Sequence, residues 1–153
     1  GIRYDENVAK LEKTSLYYYD QDDGWTYIQS KDSKKRQVLT GSLKSLEAVC
    51  ILQDNVPPVI TSTFPAHGGQ YYREDIIQLQ ANVDDALSGI APEETSMTMT
   101  LNGKRLLYAF QPVNQTISYN LLDRLTFGNH TMTLSVQDRV GNSASTQIDF
   151  VIK

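Results

Sequence analysis

The sequence has little of what reactive sites are made from. It holds one cysteine, Cys50, and two histidines, His67 and His130. A single cysteine excludes an intrachain disulfide framework. Cys50 lies in the apolar run Ala48-Val49-Cys50-Ile51-Leu52, the setting of a buried, inert thiol. Two histidines with no Cys–His pairing argue against a zinc site of ordinary type. No Gly-x-Ser-x-Gly elbow is present. His67 falls in the loop-like Ala66-His67-Gly68-Gly69 and His130 at a strand start, neither beside an acid–base partner. No apolar run approaches the roughly 20 residues that span a bilayer, and no secretory leader pattern is visible. The chain opens at Gly1 inside a strand-like pattern, which reads as a piece of a longer protein. With 14 basic against 18 acidic residues, the net charge of −4 gives no reason to expect nucleic acid or an anionic membrane as partner. The one basic cluster, Lys31 with Lys34, Lys35 and Arg36, is explained by a solvated hairpin tip. No catalytic residue is therefore expected.

What is present is strand pattern. Apolar and polar residues alternate along most of the 153 residues, the period of half-buried strands. Only Asn7 to Lys13 has weak helical character. The break at Asp54-Asn55-Val56-Pro57-Pro58 divides the chain, because paired prolines fix the backbone and stop strands. Residues 1–53 read as a small β-meander, with strands near Leu16–Asp20, Trp25–Ser30, Gln37–Gly41 and Ala48–Leu52. Asp22-Asp23-Gly24 turns between the first two. A unit this small is short of core, and strands preceding Gly1 would complete it.

Residues 54–153 are longer and more regular. Ile77, Leu79, Ala81 and Val83 share one strand face, as do Met97, Met99 and Leu101, then Ile117, Tyr119 and Leu121. Met132, Leu134 and Val136 follow, and Ile148, Phe150 and Ile152 come last. With strands near Pro58–Phe64 and Arg105–Gln111, the count is about seven, which suits an immunoglobulin-like β-sandwich. The fold class is thus all-β, a sandwich preceded by a smaller unit.

Three segments of the second unit carry a family likeness: Asp54-Asn55-Val56-Pro57-Pro58-Val59-Ile60, Asp85-Ala86-Leu87-Ser88-Gly89-Ile90 and Asp138-Arg139-Val140-Gly141-Asn142. In that order they resemble the bacterial immunoglobulin-like repeats of large secreted or cell-surface proteins. The first unit, through Leu16-Tyr17-Tyr18-Tyr19-Asp20, Gly24-Trp25-Thr26-Tyr27-Ile28 and Ala48 to Asp54, is similar to the β-rich segment that precedes such repeats. The resemblance implies an extracellular, cell-surface or periplasmic location and a structural or adhesive spacer role. The implied partners are neighbouring domains of the parent chain and a surface glycan or protein. Parents of this kind include adhesins and cell-wall metallopeptidases, and peptidase signatures are absent here.

Two constellations stand out. Asp85 and Asp138 follow Val83 and Val136 by two residues, so both have core-face parity where strands run out into turns. The two strands concerned end at one pole of a sandwich, and Asp54 sits just before the strand that starts there. Three carboxylates would meet where the units join, as donors for calcium, the one candidate cofactor. The competing reading makes each Asp an acceptor for backbone N–H groups in an Asx turn. The second constellation is Tyr17, Tyr19, Trp25 and Tyr27, an aromatic set that would serve a carbohydrate-binding accessory module of a secreted hydrolase. Its competing reading is cross-strand packing with Trp25 buried.

Overall fold

Alternation and turn chemistry produce fifteen short strands and one helical turn in a computed structural model, which describes residues 1–9, 12–44 and 47–153. Part of the Asn7–Lys13 stretch forms the single turn α1 (Glu6–Ala9), while Lys10 and Leu11 lie outside the described residues.

The first unit contains β1 (Ile2–Arg3), β2 (Thr14–Asp20), β3 (Gly24–Ile28), β4 (Ser30–Ser33), β5 (Val38–Gly41) and β6 (Val49–Gln53). It is not one continuous meander. The chain leaves one sheet at Gln29, the single residue between β3 and β4, and enters another. Two three-stranded sheets result, ordered β3-β2-β6 and β1-β5-β4. Strand β6 returns to pair with β2 rather than with its predecessor β5. Leu16, Ile28 and Leu39 bury between the two sheets, with Tyr18, Val49 and Ile51 packed around them. Lys34, Lys35 and Arg36 of the basic cluster do form a hairpin tip, since residues 34–37 link β4 to β5, whereas Lys31 lies within β4.

The second unit is the immunoglobulin-like sandwich. One sheet is ordered β12-β13-β9-β7, from β7 (Val59–Phe64), β9 (Gln78–Asp84), β12 (Ala109–Gln111) and β13 (Thr116–Asn120). The facing sheet is β11-β10-β14-β15-β8, from β8 (Gln70–Tyr71), β10 (Met97–Leu101), β11 (Lys104–Arg105), β14 (Gly128–Gln137) and β15 (Ser143–Ile152). The inward residues of β9, β10, β14 and β15 interdigitate: Leu79, Ala81 and Val83 against Met97, Met99, Met132, Leu134, Val136, Ile148, Phe150 and Ile152. Period-two alternation places every second side chain in that core. Ile77 departs from its expected face. It precedes β9, outside the ladder that would have turned it inward, and is 73% exposed. The Asn102-Gly103 turn closes the β10–β11 hairpin with φ of 50° and 78°, the left-handed pair that a two-residue turn requires.

His130 is buried and spent on structure. Its Nδ1 meets the Asn102 side-chain amide at 2.9 Å, its Nε2 meets the Thr126 carbonyl at 2.8 Å, and its ring stacks on Phe150. Strands β9 and β14 belong to opposite sheets and end at the same pole. That pole faces the first unit, and β15 finishes at the other.

Truncating Leu134, which has no exposed surface, to alanine is expected to cost about 2–5 kcal/mol in urea unfolding, since a cavity opens at the core's centre. Leu122→Ala, at an exposed position on the far pole, is expected to change stability by less than about 0.5 kcal/mol.

Candidate metal centre

The polypeptide runs through the junction as Asp54 to Pro58, without regular structure, before β7 begins. Asp54 is 2% exposed although it carries a carboxylate. Its Oδ1 accepts the Val56 N–H at 3.0 Å and its Oδ2 the Ser88 N–H at 3.0 Å. Its own N–H donates to the Lys13 carbonyl at 3.0 Å. Its carbonyl accepts the Asn142 side-chain amide at 3.0 Å. One residue thus holds the end of the first unit and two turns of the sandwich.

The other two aspartates cap the turns that follow β9 and β14. Asp85 Oδ2 accepts from the N–H of Leu87 (3.4 Å), the N–H of Gly89 (2.6 Å) and the Ser88 hydroxyl (3.3 Å). Asp138 Oδ1 accepts from the N–H groups of Val140 (2.9 Å) and Asn142 (2.8 Å), and Oδ2 from the Asn142 amide at 2.6 Å. All three therefore accept the N–H two residues on, the Asx-turn pattern. They also meet. One carboxylate oxygen from each of Asp54, Asp85 and Asp138 lies within 4.8 Å of the others. Turn capping and convergence occur together, because capping consumes only some of the lone pairs on each carboxylate. Among the described residues none donates a hydrogen bond to Asp85 Oδ1.

Burial pushes the Asp85 carboxyl above its ordinary range. The Gly89 N–H opposes that shift, and the negative neighbours Asp54 and Asp138 add to it. Two cations stand nearby and neither pairs with the cluster. Lys13 Nζ donates to Asn142 Oδ1 at 2.5 Å. Arg139 donates to the Ser88 carbonyl at 3.2 Å and lies over the Tyr27 ring at 5.4 Å. Among the described residues the one salt bridge is Arg124–Glu74, at the far pole.

The aromatic set shares one face of the β3-β2-β6 sheet, since Tyr17 pairs with Tyr27 and Tyr19 with Trp25 across the ladder. Its fate differs along the strand. Tyr17 has no exposed surface and Tyr27 carries Arg139, so both belong to the junction and not to an open sugar platform. Alternation along β2 cannot show what covers a face. Tyr19 and Trp25 remain exposed at 46% and 37%, packed edge to face at 5.3 Å. Trp25 is thus not the buried core ring that packing arguments favoured. The sandwich reaches over Tyr17 and Tyr27 and stops short of it. Cys50 is half-buried, and desolvation raises its thiol pKa, consistent with an unreactive thiol.

The residues that sequence reasoning missed are Tyr17 in its junction role, Ser88, Asn142, Lys13 and Arg139. Asn142 and Ser88 were signalled only as letters of the two turn motifs. Lys13 and Arg139 carried no signal.

No protein-family model and no curated protein matches the chain. Among solved structures it is similar to CopC from Methylosinus trichosporium OB3b, with a TM-score of 0.51 and 11% identity over 63% of this chain and 93% of that one. It also aligns with dimeric latent PorU from Porphyromonas gingivalis, with a TM-score of 0.47 and 20% identity over 70% of this chain. The chain spans 13% of the length of that PorU chain. At these identities the likeness to CopC concerns the fold alone.

Two substitutions test the joint. Asn142→Ala removes donors to Asp54 and Asp138 and leaves buried acceptors unpaired, so a loss of about 1–3 kcal/mol is expected in urea unfolding. Gly89 has φ of +75°, and a Cβ there would stand 2.7 Å from an Arg139 guanidinium nitrogen. Gly89→Ala is therefore expected to lower stability by about 1–2 kcal/mol in the same assay.

Proposed function

We propose that this chain is a non-catalytic spacer module of a larger extracellular bacterial protein, structural or adhesive in role, in which a small β unit and an immunoglobulin-like sandwich are fixed end to end. The observation that carries the reading is the use made of Asp54. A buried carboxylate in the connecting segment caps its own turn through Oδ1, while its Oδ2, its N–H and its carbonyl bond to the two units. Flexible linkers leave such groups in water. Arg139 over Tyr27, and Lys13 on Asn142, cross the same joint. Asp54, Asp138 and Asn142 are engaged in turn hydrogen bonds, and His130 is locked by its own. Among the described residues no helix is long and apolar enough to cross a membrane.

The carbohydrate-accessory alternative rests on Tyr19 and Trp25 alone. Two rings at 72° to each other offer less stacking surface than a coplanar platform.

Small-angle scattering tests the spacer reading. The wild-type chain is expected to fit one rigid arrangement, and Asp54→Ala combined with Asn142→Ala is expected to broaden the distribution of maximum dimensions. Independent motion of the two units in the wild type would overturn it. So would hydrolysis of peptidoglycan or polysaccharide by the purified chain that one point substitution abolishes. A Trp25 fluorescence change on adding glycans would favour the accessory reading instead.

A further inference from the structure

Two unfavourable features face each other across the joint. The first is a set of three carboxylates with no cation against them. Asp54 and Asp138 are each 2% exposed, and none of the described lysines and arginines forms an ion pair with the set. Lys13 is occupied by Asn142, and Arg139 by Ser88 and the Tyr27 ring. Buried charge is ordinarily paired or bound to metal, and backbone N–H dipoles offset three negative charges only in part. The second feature is the Tyr17 hydroxyl. It is fully buried and has no hydrogen-bond partner. Burial first, and then the charges of Asp54, Asp138 and Asp85, raise the pKa of that phenol, so it lies within the field of the cluster. A buried O–H next to carboxylates would donate to one of them if it touched. A gap wider than a hydrogen bond therefore separates the Tyr17 hydroxyl from the three carboxylate groups.

We infer that this gap is a binding site for a divalent cation of calcium's size, held by Asp54, Asp85 and Asp138, with the Tyr17 hydroxyl oxygen as the neutral group facing the ion. The inference rests on the reading of the junction as a rigid joint and deepens it. The donor set is all oxygen, which selects a hard cation over zinc or copper. Calcium–oxygen distances of about 2.3–2.6 Å let two ligands on opposite sides of the ion stand about 4.6–5.2 Å apart. The carboxylate oxygens already lie within 4.8 Å of one another, so one ion can reach all three without moving the strands. Asp138, alone of the set, also lines an open cleft of about 810 Å³ between the units, together with Tyr27 and Arg139. Tyr17 belongs to the first unit, Asp54 to the connecting segment, and Asp85 with Asp138 to the sandwich. An ion bound here joins all three, and the stiffness of the joint becomes responsive to calcium.

The test uses the whole chain, stripped with EGTA, then titrated with calcium by calorimetry and followed by thermal melting. Terbium is a second probe, because tyrosine absorption excites it when the ring is close. Expected are a dissociation constant of about 10⁻³ M or tighter, a rise in melting temperature through linkage, and tyrosine-sensitised terbium emission that calcium displaces. Asp85→Asn is expected to weaken binding at least about tenfold, the loss of one charged ligand. Asp123→Asn at the far pole is expected to leave it unchanged. Tyr17→Phe gives the sharper result. It should melt above the wild type in EGTA, because the unpartnered hydroxyl is gone, and gain less from calcium. Absence of heat and of any melting shift at about 10 mM calcium, well above that range, overturns the inference. Equal effects of Asp85→Asn and Asp123→Asn overturn it too, as does Tyr17→Phe melting below the wild type in EGTA. If the units scatter as one rigid body while calcium does not bind, the cation site fails and the joint stands. If they move independently even with calcium bound, the joint reading fails.

Discussion

Burying the Asp54 carboxylate is the constraint from which the rest of this molecule's architecture follows. A charged group removed from water must recover its hydration from the protein. Here it does so from the N–H groups of Val56 and Ser88. Those donors are available only if the segment after β6 folds back as a turn and the turn after β9 sits directly against it. The Asp54 N–H and carbonyl extend the same requirement to Lys13 and Asn142. The small unit, the prolines and the sandwich are consequently fixed relative to one another by hydrogen bonds as well as apolar contact.

The sandwich supplies the frame that makes this arrangement affordable in strain. Its core is closed by interdigitating side chains of β9, β10, β14 and β15, with Leu79, Met99, Met132 and Leu134 showing no exposed surface. Rigid strands deliver Asp85 and Asp138 to one pole at fixed spacing, so irregular turns can hold polar residues in place. The turn motifs then serve two purposes with the same atoms. Each aspartate caps its own turn through the N–H two residues on, and each brings one carboxylate oxygen within 4.8 Å of the other two. Capping restrains the carboxylates and thereby maintains their mutual repulsion, which burial intensifies by lowering the local dielectric.

The aromatic face of β2 and β3 shows how a single strand can be divided between interior and surface. Tyr17 and Tyr19 differ by two residues and point the same way, yet one is fully buried and the other is about half exposed. Nothing within the strand distinguishes them. The sandwich ends between their positions, covering the Tyr17–Tyr27 pair and leaving the Tyr19–Trp25 pair in solvent. The same boundary separates a junction residue from a surface one and limits the aromatic area open to any ligand.

The longer strands, the apolar faces of the second unit and the common pole of Asp54, Asp85 and Asp138 were legible from the sequence, because all three depend on local rules, whereas the two-residue strands β1, β8 and β11 were not. Period-two alternation decides which side chains share a face, and antiparallel order decides which strand ends coincide. The Asp22-Asp23-Gly24 and Asn102-Gly103 turns were equally legible, since left-handed backbone angles demand those residue types. Alternation does not determine what lies opposite a face, so the burial of Tyr17, the exposure of Trp25 and the outward position of Ile77 were decided by packing between elements far apart in sequence. Nor does it determine which strands pair after a one-residue bend such as Gln29, so the division of the first unit into two sheets came from tertiary structure. The partners of Asp54 show the distinction most directly. The sequence placed an acidic residue at the break by itself, and only the folded chain, bringing Ser88 from 34 and Asn142 from 88 positions away, made that residue the joint.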